Sequence, residues 1–182
     1  MPHFGENWDE NIYPLAYLIT LRTYGTWLHG NNKGSVDTHR NFNKRGAVFR
    51  PPNPRLESRM VHNMSTPPFR LDRTTKVLVE EAIREVCDFR GYYLHALNAR
   101  PTHAHIVVAG QTRPEPIANA FKSYSTRKLR ERGLIENSTK VWARGRSRRY
   151  LWKENHLSGA IDYVLYCQGD TGFEEWYENF HG

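Results

Sequence analysis

Cysteine and long apolar runs are both scarce in this chain of 182 residues. Cys87 and Cys167 are its only cysteines, too few for a disulfide framework or a four-cysteine zinc site. No run of about 18 apolar residues occurs, which excludes a membrane-spanning helix. The polar first residues also lack the basic-then-apolar order of a signal peptide. We therefore expect one domain over residues 1–182, in the reducing cytoplasm and without a membrane partner.

Aliphatic residues are few between positions 25 and 70. Hydrophobic residues make up only 38% of the whole chain, and its mean hydropathy is −0.74. Glycines, prolines and asparagines are frequent in 25–70, so we predict a long irregular loop there. Loops of this length are usually functional or disordered.

Acidic residues are nearly absent from residues 122–149. That segment contains ten Lys or Arg and two Glu, so it carries a charge of +8 while the rest of the chain sums to −1. A solvated helix face is the ordinary explanation of such a run. The interleaved Tyr124, Trp142, Tyr150 and Trp152 instead favour a nucleic-acid surface, because aromatic rings stack on unpaired bases.

The hydrophobic periodicity predicts three helices and four strands. A helix over 71–91 should begin at Asp72 and end at Gly91, and two further helices are expected from about 113 to 133 and from 157 to about 167. Strands are predicted at 15–23, 92–99, 103–109 and 147–152. The order β, α, β, β, α, β predicts an α+β, ferredoxin-like split βαβ fold, with an antiparallel sheet, helices on one face and an additional C-terminal helix.

The stretch "RPTHAHIVVAG" (100–110) begins a buried strand with two histidines. Because side chains alternate along a strand, His103 and His105 should lie on the same face, roughly 7 Å apart along the chain. Paired neutral imidazoles suit a divalent metal ion. A chance pair of histidines is the alternative, since the chain has nine.

The helix "GAIDYVLYCQG" (159–169) carries the candidate nucleophile for phosphodiester cleavage beside a metal. Ile161, Val164 and Leu165 are expected to form its packing stripe. Tyr163 is then expected on the polar flank of that stripe, either as a rim residue of the core or as a nucleophile. Tyr166, one turn later, is the rival nucleophile.

These motifs together resemble a known superfamily. The chain has a strand that begins with two histidines and, later, a helix with a candidate tyrosine; His103 and Tyr163 are 60 residues apart. This arrangement resembles the single-tyrosine HUH transposases of bacterial insertion sequences and the REP-associated tyrosine transposases, in which a His-hydrophobic-His strand is followed about sixty residues later by a helix with one tyrosine. The word "IDYV" (161–164) resembles the catalytic helix of the REP-associated group. The resemblance covers about 15–34 and 92–169. Ala104 departs from it, since a bulkier apolar residue is usual there.

The resemblance implies a tyrosine transposase. Tyr163 would attack single-stranded DNA to give a 5′-phosphotyrosine and a free 3′-hydroxyl, and the C-terminal helix would be catalytic. A divalent ion, Mg²⁺ or Mn²⁺, would orient the phosphate on His103, His105 and a third polar ligand. That ligand is usually four residues after the tyrosine, where this chain has Cys167; Gln168, one residue further, is our candidate.

The expected partner is single-stranded or hairpin DNA, bound by a monomer or a homodimer. From the basic segment we choose Lys122, Arg127, Arg146 and Arg148 as contacts to phosphates and to a hairpin stem. Two alternatives stay open at this point: a non-catalytic nucleic-acid-binding ferredoxin-like module, and a metal-dependent phosphodiesterase that uses water. The sequence leaves undetermined which DNA is recognised and whether the protein serves a mobile element or its host.

Overall fold

In the computed structural model, which describes residues 13–28, 52–167 and Phe173, four strands form one antiparallel sheet. The strands are β1 (Ala16–Arg22), β2 (Tyr93–Arg100), β3 (His103–Ala109) and β4 (Ser147–Leu151), and the helices are α1 (Pro54–His62), α2 (Arg73–Arg90), α3 (Pro114–Glu131) and α4 (Glu154–Tyr166). The order across the sheet is β2-β3-β1-β4, with every neighbouring pair antiparallel. This order confirms the predicted split βαβ fold.

Helix α2 begins and ends where its local signals place it. The Asp72 carboxylate accepts hydrogen bonds from the Thr75 backbone N–H and from the Thr75 hydroxyl, both at 2.8 Å. Gly91 ends the helix with a φ of +68°, in the left-handed region that glycine adopts without a steric penalty. The predicted inward residues of α2 are all buried: Val79, Ala82, Ile83 and Val86.

The sheet separates two apolar clusters. Helices α2 and α3 cover one face, where Ile19, Ile106 and Phe121 belong to one buried cluster. Helix α4 covers the other face together with Leu18 and Val107. Because side chains alternate along a strand, every second residue of β1 and β3 faces α4, and the residues between them face α2 and α3.

The prediction of an irregular loop over 25–70 is wrong in part, because α1 (Pro54–His62) forms within it. Asn53 caps this helix by accepting a hydrogen bond from the Leu56 N–H, and Pro54 occupies its first turn, where a missing N–H costs nothing. None of the α1 residues is buried, and its nine residues are fewer than the about 11 to 18 over which periodicity distinguishes a helix, so the sequence pattern does not reveal it. Residues 29–51 of the predicted loop lie outside the described residues.

The C-terminal helix is longer at its start than predicted, since α4 begins at Glu154 rather than Leu157. It ends at Tyr166, and Cys167 already has extended backbone angles. Of the acidic and aromatic tail that follows, only Phe173 is among the described residues. No helix in the described ranges has the length and apolar character needed to span a membrane.

Candidate active site

Two rows of polar side chains cross the sheet on the face that α4 covers. In the order β2, β3, β1, the first row is Arg100, His103 and Arg22, and the second is Asn98, His105 and Thr20. Residues directly opposite one another in an antiparallel sheet share a face. The third row, Ala96, Val107 and Leu18, is apolar and belongs to the cluster under α4. The polar rows therefore lie at the edge of a dry core.

The two histidines of β3 are in contact. Their ring centroids are 4.4 Å apart with an interplanar angle of 68°. His105 is buried, whereas His103 at the strand end is partly exposed. One side of the pair thus faces the core under α4, and the other side is open to a ligand.

Threonine hydroxyls orient both imidazoles. Thr20 Oγ1 lies 2.9 Å from His105 Nδ1, and Thr102 Oγ1 lies 3.0 Å from His103 Nδ1. If each Nδ1 carries the proton and donates it to its threonine, each Nε2 has a lone pair available for a metal ion. The pair consequently resembles a metal half-site with its outer hydrogen bonds in place.

His105 is held in its neutral form. Burial is the largest cause that lowers its pKa, to about 3, and the positive charges of His103, Arg100 and Arg22 act in the same direction. Only a neutral imidazole can donate a lone pair to a metal. At neutral pH the ring is therefore in the form that metal binding requires.

Tyr163 of α4 lies directly against the histidine pair. The centroid of its ring is 5.2 Å from that of His105, in an edge-to-face arrangement, and 5.4 Å from that of Phe173. Only 7% of Tyr163 is exposed, so burial raises the pKa of its phenol, with Cys167 adding to the rise. The charges of Arg100 and Arg22 oppose this and lower the pKa.

The predicted packing stripe of α4 is wrong by about a third of a turn. The buried residues are Gly159, Ala160, Tyr163 and Val164, whereas Leu165 is 41% exposed. Tyr163 therefore belongs to the centre of the packed face rather than to its polar flank. Tyr166, the rival nucleophile, is 71% exposed.

Two hydrogen bonds from β2 fix α4 over the polar rows. Asn98 Nδ2 donates to the Val164 carbonyl at 3.0 Å, and the Arg100 guanidinium donates to the Cys167 carbonyl. Both acceptors belong to the last turn of α4 and its cap, where carbonyls have no partner within the helix. The register of Tyr163 against the histidines is thus set by side chains of the site itself.

A third metal ligand is not defined by the described residues. In those ranges, no group of three His, Cys, Asp or Glu side chains is placed to hold a metal. Because α4 ends at Tyr166 and Cys167 is extended, an ideal helical step does not govern the position of Gln168. Gln168 itself lies outside the described residues.

The candidate DNA-binding residues of α3 have protein partners. Lys122 donates to the backbone carbonyls of Ala143 at 2.7 Å and of Gly145 at 2.8 Å, and burial followed by the charge of Arg146 lowers its pKa to about 8. Arg127 is exposed, stacks on the Tyr124 ring and pairs with Glu131 at 3.5 Å. Lys122 therefore ties the basic loop to α3, whereas Arg127 is accessible from solvent.

The other two candidate DNA-binding residues, Arg148 on β4 and Arg146 just before it, lie on the α3 side of the sheet. Arg148 opposes Ile19, whose side chain faces α2 and α3, and its guanidinium pairs with Glu115 at 2.8 Å. Arg146 is close enough to Lys122 to lower its pKa. The neighbouring Arg149 opposes Leu18 and lies over the Phe173 ring on the α4 side. Edge strand β4 thus presents arginines to both faces of the sheet.

Sequence reasoning missed three residues of the site: Thr20, Arg22 and Arg100. Thr20 and Arg22 lie on a strand that was predicted, whereas Arg100 lies one residue beyond the predicted strand 92–99, and the place of all three beside the histidines depends on the strand order and register. The signal was present, because the split βαβ order sets β1 and β2 on either side of β3. Alternation along β1 then brings Thr20 and Arg22 to the face that carries His103 and His105.

Fold and site together define an α+β protein in which a pair of sheet histidines faces a tyrosine on the covering C-terminal helix. The model of the IS200-like transposase family matches residues 59–162, more than half of the chain, and the chain belongs to this family. The match includes both histidines and stops one residue before Tyr163. Among solved structures, a crystal structure of a candidate transposase from Deinococcus radiodurans is similar, at 14% identity and a TM-score of 0.45, over 84% of this chain and 90% of that chain. No curated protein sequence matches the chain.

Proposed function

We propose that this transposase cuts single-stranded DNA with Tyr163 as the nucleophile and rejoins it through a covalent intermediate. The observation that carries the proposal is the edge-to-face contact between Tyr163 and His105, at 5.2 Å between ring centroids within one chain. A hydroxyl nucleophile, two oriented imidazoles and two cationic side chains then converge at one end of the sheet. This combination suits in-line attack on a phosphodiester.

In the proposed step, the Tyr163 oxygen forms a bond to phosphorus and the bond from phosphorus to the 3′ oxygen breaks. The phenol releases its proton, and the departing 3′ oxygen takes up a proton to become a hydroxyl. The 5′ end remains as a phosphotyrosine ester, which conserves the energy of the broken bond. Attack by another 3′-hydroxyl reverses the step and joins new ends without ATP.

His103 and His105 fit a divalent cation, for which we propose Mg²⁺ or Mn²⁺, because both Nδ1 atoms have threonine partners that orient the rings. Gln168 stays our candidate for the third ligand. A bound cation would draw charge from the phosphoryl oxygens. The chain's own residues assist in a second way, since Arg100 and Arg22 oppose the effect of burial on the Tyr163 phenol and ease its ionisation.

The DNA is proposed to approach along the basic segment. Arg127, Arg146 and Arg148 are candidates for phosphates or a hairpin stem on the α3 side, and Lys122 holds the loop that carries Arg146. Arg149, next to Arg148 on edge strand β4, faces α4, so β4 carries positive charge on the side of the sheet where the candidate active site lies as well as on the α3 side. A strand that crosses β4 would therefore meet positive charge along its path.

The decisive experiment compares two tyrosine variants that each lose one oxygen. Tyr163→Phe and Tyr166→Phe are incubated with labelled hairpin-containing single strands and Mn²⁺ or Mg²⁺, and protein–DNA adducts are resolved on a denaturing gel. We expect wild type and Tyr166→Phe to form the adduct and Tyr163→Phe to form none while it still binds DNA. Mass spectrometry should place the nucleotide on Tyr163; an adduct on Tyr166 would refute the assignment.

The histidine pair is tested with the double variant His103→Ala/His105→Ala. Cleavage that depends on the divalent ion should disappear, whereas DNA binding should survive because the basic segment provides most of the affinity. Cleavage by wild type without any adduct would instead identify a phosphodiesterase that uses water. DNA binding without cleavage under all conditions would identify a non-catalytic module.

A further inference from the structure

The four aromatic residues that accompany the basic segment differ in their environments. Trp142 is tied to the protein, since its indole N–H donates to Ser125 Oγ at 3.0 Å and its ring packs against the buried cluster that α2 and α3 cover. Tyr124 is partly buried against the same cluster. Tyr150 and Trp152, in contrast, are 40% and 51% exposed. The fold thus leaves the last two rings accessible to a ligand.

Tyr150 and Trp152 lie side by side with nearly parallel rings. Their ring centroids are 6.4 Å apart and the interplanar angle is 12°. The spacing follows from the backbone, because residues two apart on an extended strand share a face at a distance of about 6.7 Å. The pair therefore presents two aromatic rings in one orientation, against which the flat face of a base can lie.

The core of the protein orients the first ring of this pair. Tyr150 contacts Tyr17 in an edge-to-face arrangement, with ring centroids 5.2 Å apart and an interplanar angle of 82°. Tyr17 is itself buried, and its hydroxyl donates to the Thr112 carbonyl at 2.9 Å. Tyr150 is thereby oriented before any ligand binds, which lowers the entropic cost of ordering the side chain on binding.

The two rings follow directly on the basic segment. Arg148 lies two residues before Tyr150 on the same side of β4, although its guanidinium is paired with Glu115 at 2.8 Å. Residues 122–149 nevertheless carry ten cationic side chains against two acidic ones. An exposed aromatic pair beside such an excess of positive charge suits a polyanion that carries flat rings, namely a nucleic acid. Its bases must be unpaired, because the bases of a duplex stack on one another and show no free face.

We infer that Tyr150 and Trp152 form a stacking platform for unpaired bases of the DNA strand, on the α3 side of edge strand β4. The platform rests on the proposed function for the identity of its ligand, single-stranded DNA. Its task differs from that of the basic side chains, which contact phosphates in paired and unpaired DNA alike. It is also separate from the candidate active site, because Tyr163 lies on the opposite face of the sheet. The platform therefore selects single strands and takes no part in the chemistry.

Two oligonucleotides of equal length separate stacking from phosphate contacts: an oligothymidylate, and a strand of abasic sites that has the same phosphates but no bases. Binding to the full wild-type chain is followed by fluorescence anisotropy without divalent ions, so that no cleavage interferes. We expect the oligothymidylate to bind more tightly than the abasic strand. Trp152→Ala and Tyr150→Ala should each weaken oligothymidylate binding by at least about fivefold, the usual loss for one stacked base, and leave binding of the abasic strand unchanged.

Matched variants isolate the contribution of the aromatic face. Tyr150→Phe and Trp152→Phe keep a ring and should retain most of the affinity, which a hydrogen bond from the phenol or the indole would not allow. Phe89→Ala removes an even more exposed ring, from α2, and should leave both affinities unchanged. The salt dependence of binding should be the same in wild type and in the alanine variants, because no phosphate contact is lost. Thermal unfolding detects misfolded variants, and quenching of 2-aminopurine in the oligonucleotide reports stacking on the wild-type protein without any substitution.

The platform is overturned if the alanine variants bind oligothymidylate as tightly as Phe89→Ala does, or if they lose equal affinity for the abasic strand. It is also overturned if the rings instead join two copies of the chain, so that Trp152→Ala converts a dimer into a monomer in sedimentation. Failure of the proposed function gives a different result: no adduct forms on Tyr163, although the oligothymidylate still binds more tightly than the abasic strand. Adduct formation without that preference would leave the tyrosine mechanism and remove the platform.

Discussion

His105 combines an ionisable ring with a core position, and this makes the stability of the protein sensitive to acid. The unfolded chain binds a proton at this ring below about pH 6.5, whereas the folded chain binds one only near pH 3. Between those values the unfolded state holds more protons, so lowering the pH favours unfolding. From pH 7 to pH 5 we expect His105 to cost about 2 kcal/mol of stability.

Chemical denaturation at pH 7 and pH 5 measures this cost. The variant His105→Asn should lose much of the pH dependence, even if it is less stable at pH 7. His62→Asn, which replaces an exposed histidine of α1, is the matched control and should keep it. Equal pH dependence in wild type and His105→Asn would contradict the assignment.

Thr20 is expected to act on metal binding through His105. Its hydroxyl lies 2.9 Å from His105 Nδ1, and loss of such a partner typically weakens metal affinity by about 10- to 100-fold. We therefore expect Thr20→Val, which keeps the side-chain volume, to weaken Mn²⁺ binding by about tenfold in calorimetry. Thr20→Ser restores the hydroxyl and should restore the affinity; a Thr20→Val protein with wild-type affinity would show that this contact is only structural.

At the scale of elements, α2 depends on its N-terminal cap. The Asp72 carboxylate satisfies the Thr75 N–H at 2.8 Å, a bond that no other side chain of the helix start provides. Replacing such a cap with alanine typically costs about 1 kcal/mol, so Asp72→Ala should lower the free energy of unfolding by that amount.

The control for the cap is Asp88→Ala, on the same helix but near its C-terminus. An acidic side chain there opposes the helix dipole, so its removal should be neutral or slightly stabilising. Urea denaturation of both variants tests the pair. If Asp72→Ala and Asp88→Ala change the free energy of unfolding by the same amount, the cap does not determine where α2 begins.

At the scale of the whole molecule, positive charge lies on both faces of one sheet. Arg148 faces α3 and Arg149 faces α4, from adjacent positions of edge strand β4. Binding of single-stranded DNA should therefore weaken steeply with salt, because every phosphate that is neutralised releases counterions. In a plot of the logarithm of the binding constant against the logarithm of the salt concentration, we expect the slope to change by about 0.7 for each phosphate contact that is lost.

The test uses Arg146→Gln and Arg148→Gln, measured by fluorescence anisotropy across a salt series. Each should flatten the slope, although Arg148→Gln also releases Glu115 from its ion pair. Arg90→Gln removes one positive charge from the far end of α2 and should leave the slope unchanged. A slope that none of the three variants alters would place the DNA elsewhere on the surface.

Local sequence signals predicted a large part of the fold. The Asp72 cap, the left-handed Gly91 and the alternation of β3 depend on neighbours within a few residues, so propensity and sterics determine them without the tertiary context. The order of elements then limited the topology to the split βαβ sheet. Helix α1 was not predicted because it is only nine residues long, lies in a segment rich in proline and buries no residue.

The sequence by itself determined the strand alternation that sets His103 and His105 on one face, and the basic segment over 122–149. Only the tertiary structure decided which face α4 covers, and so brought Tyr163 rather than Tyr166 against His105. The same packing set Arg22 and Arg100 beside His103 from strands that are distant in the chain. The physical reason is range: a helical or strand period fixes a side chain relative to its own element, whereas register and packing between elements fix it relative to the others.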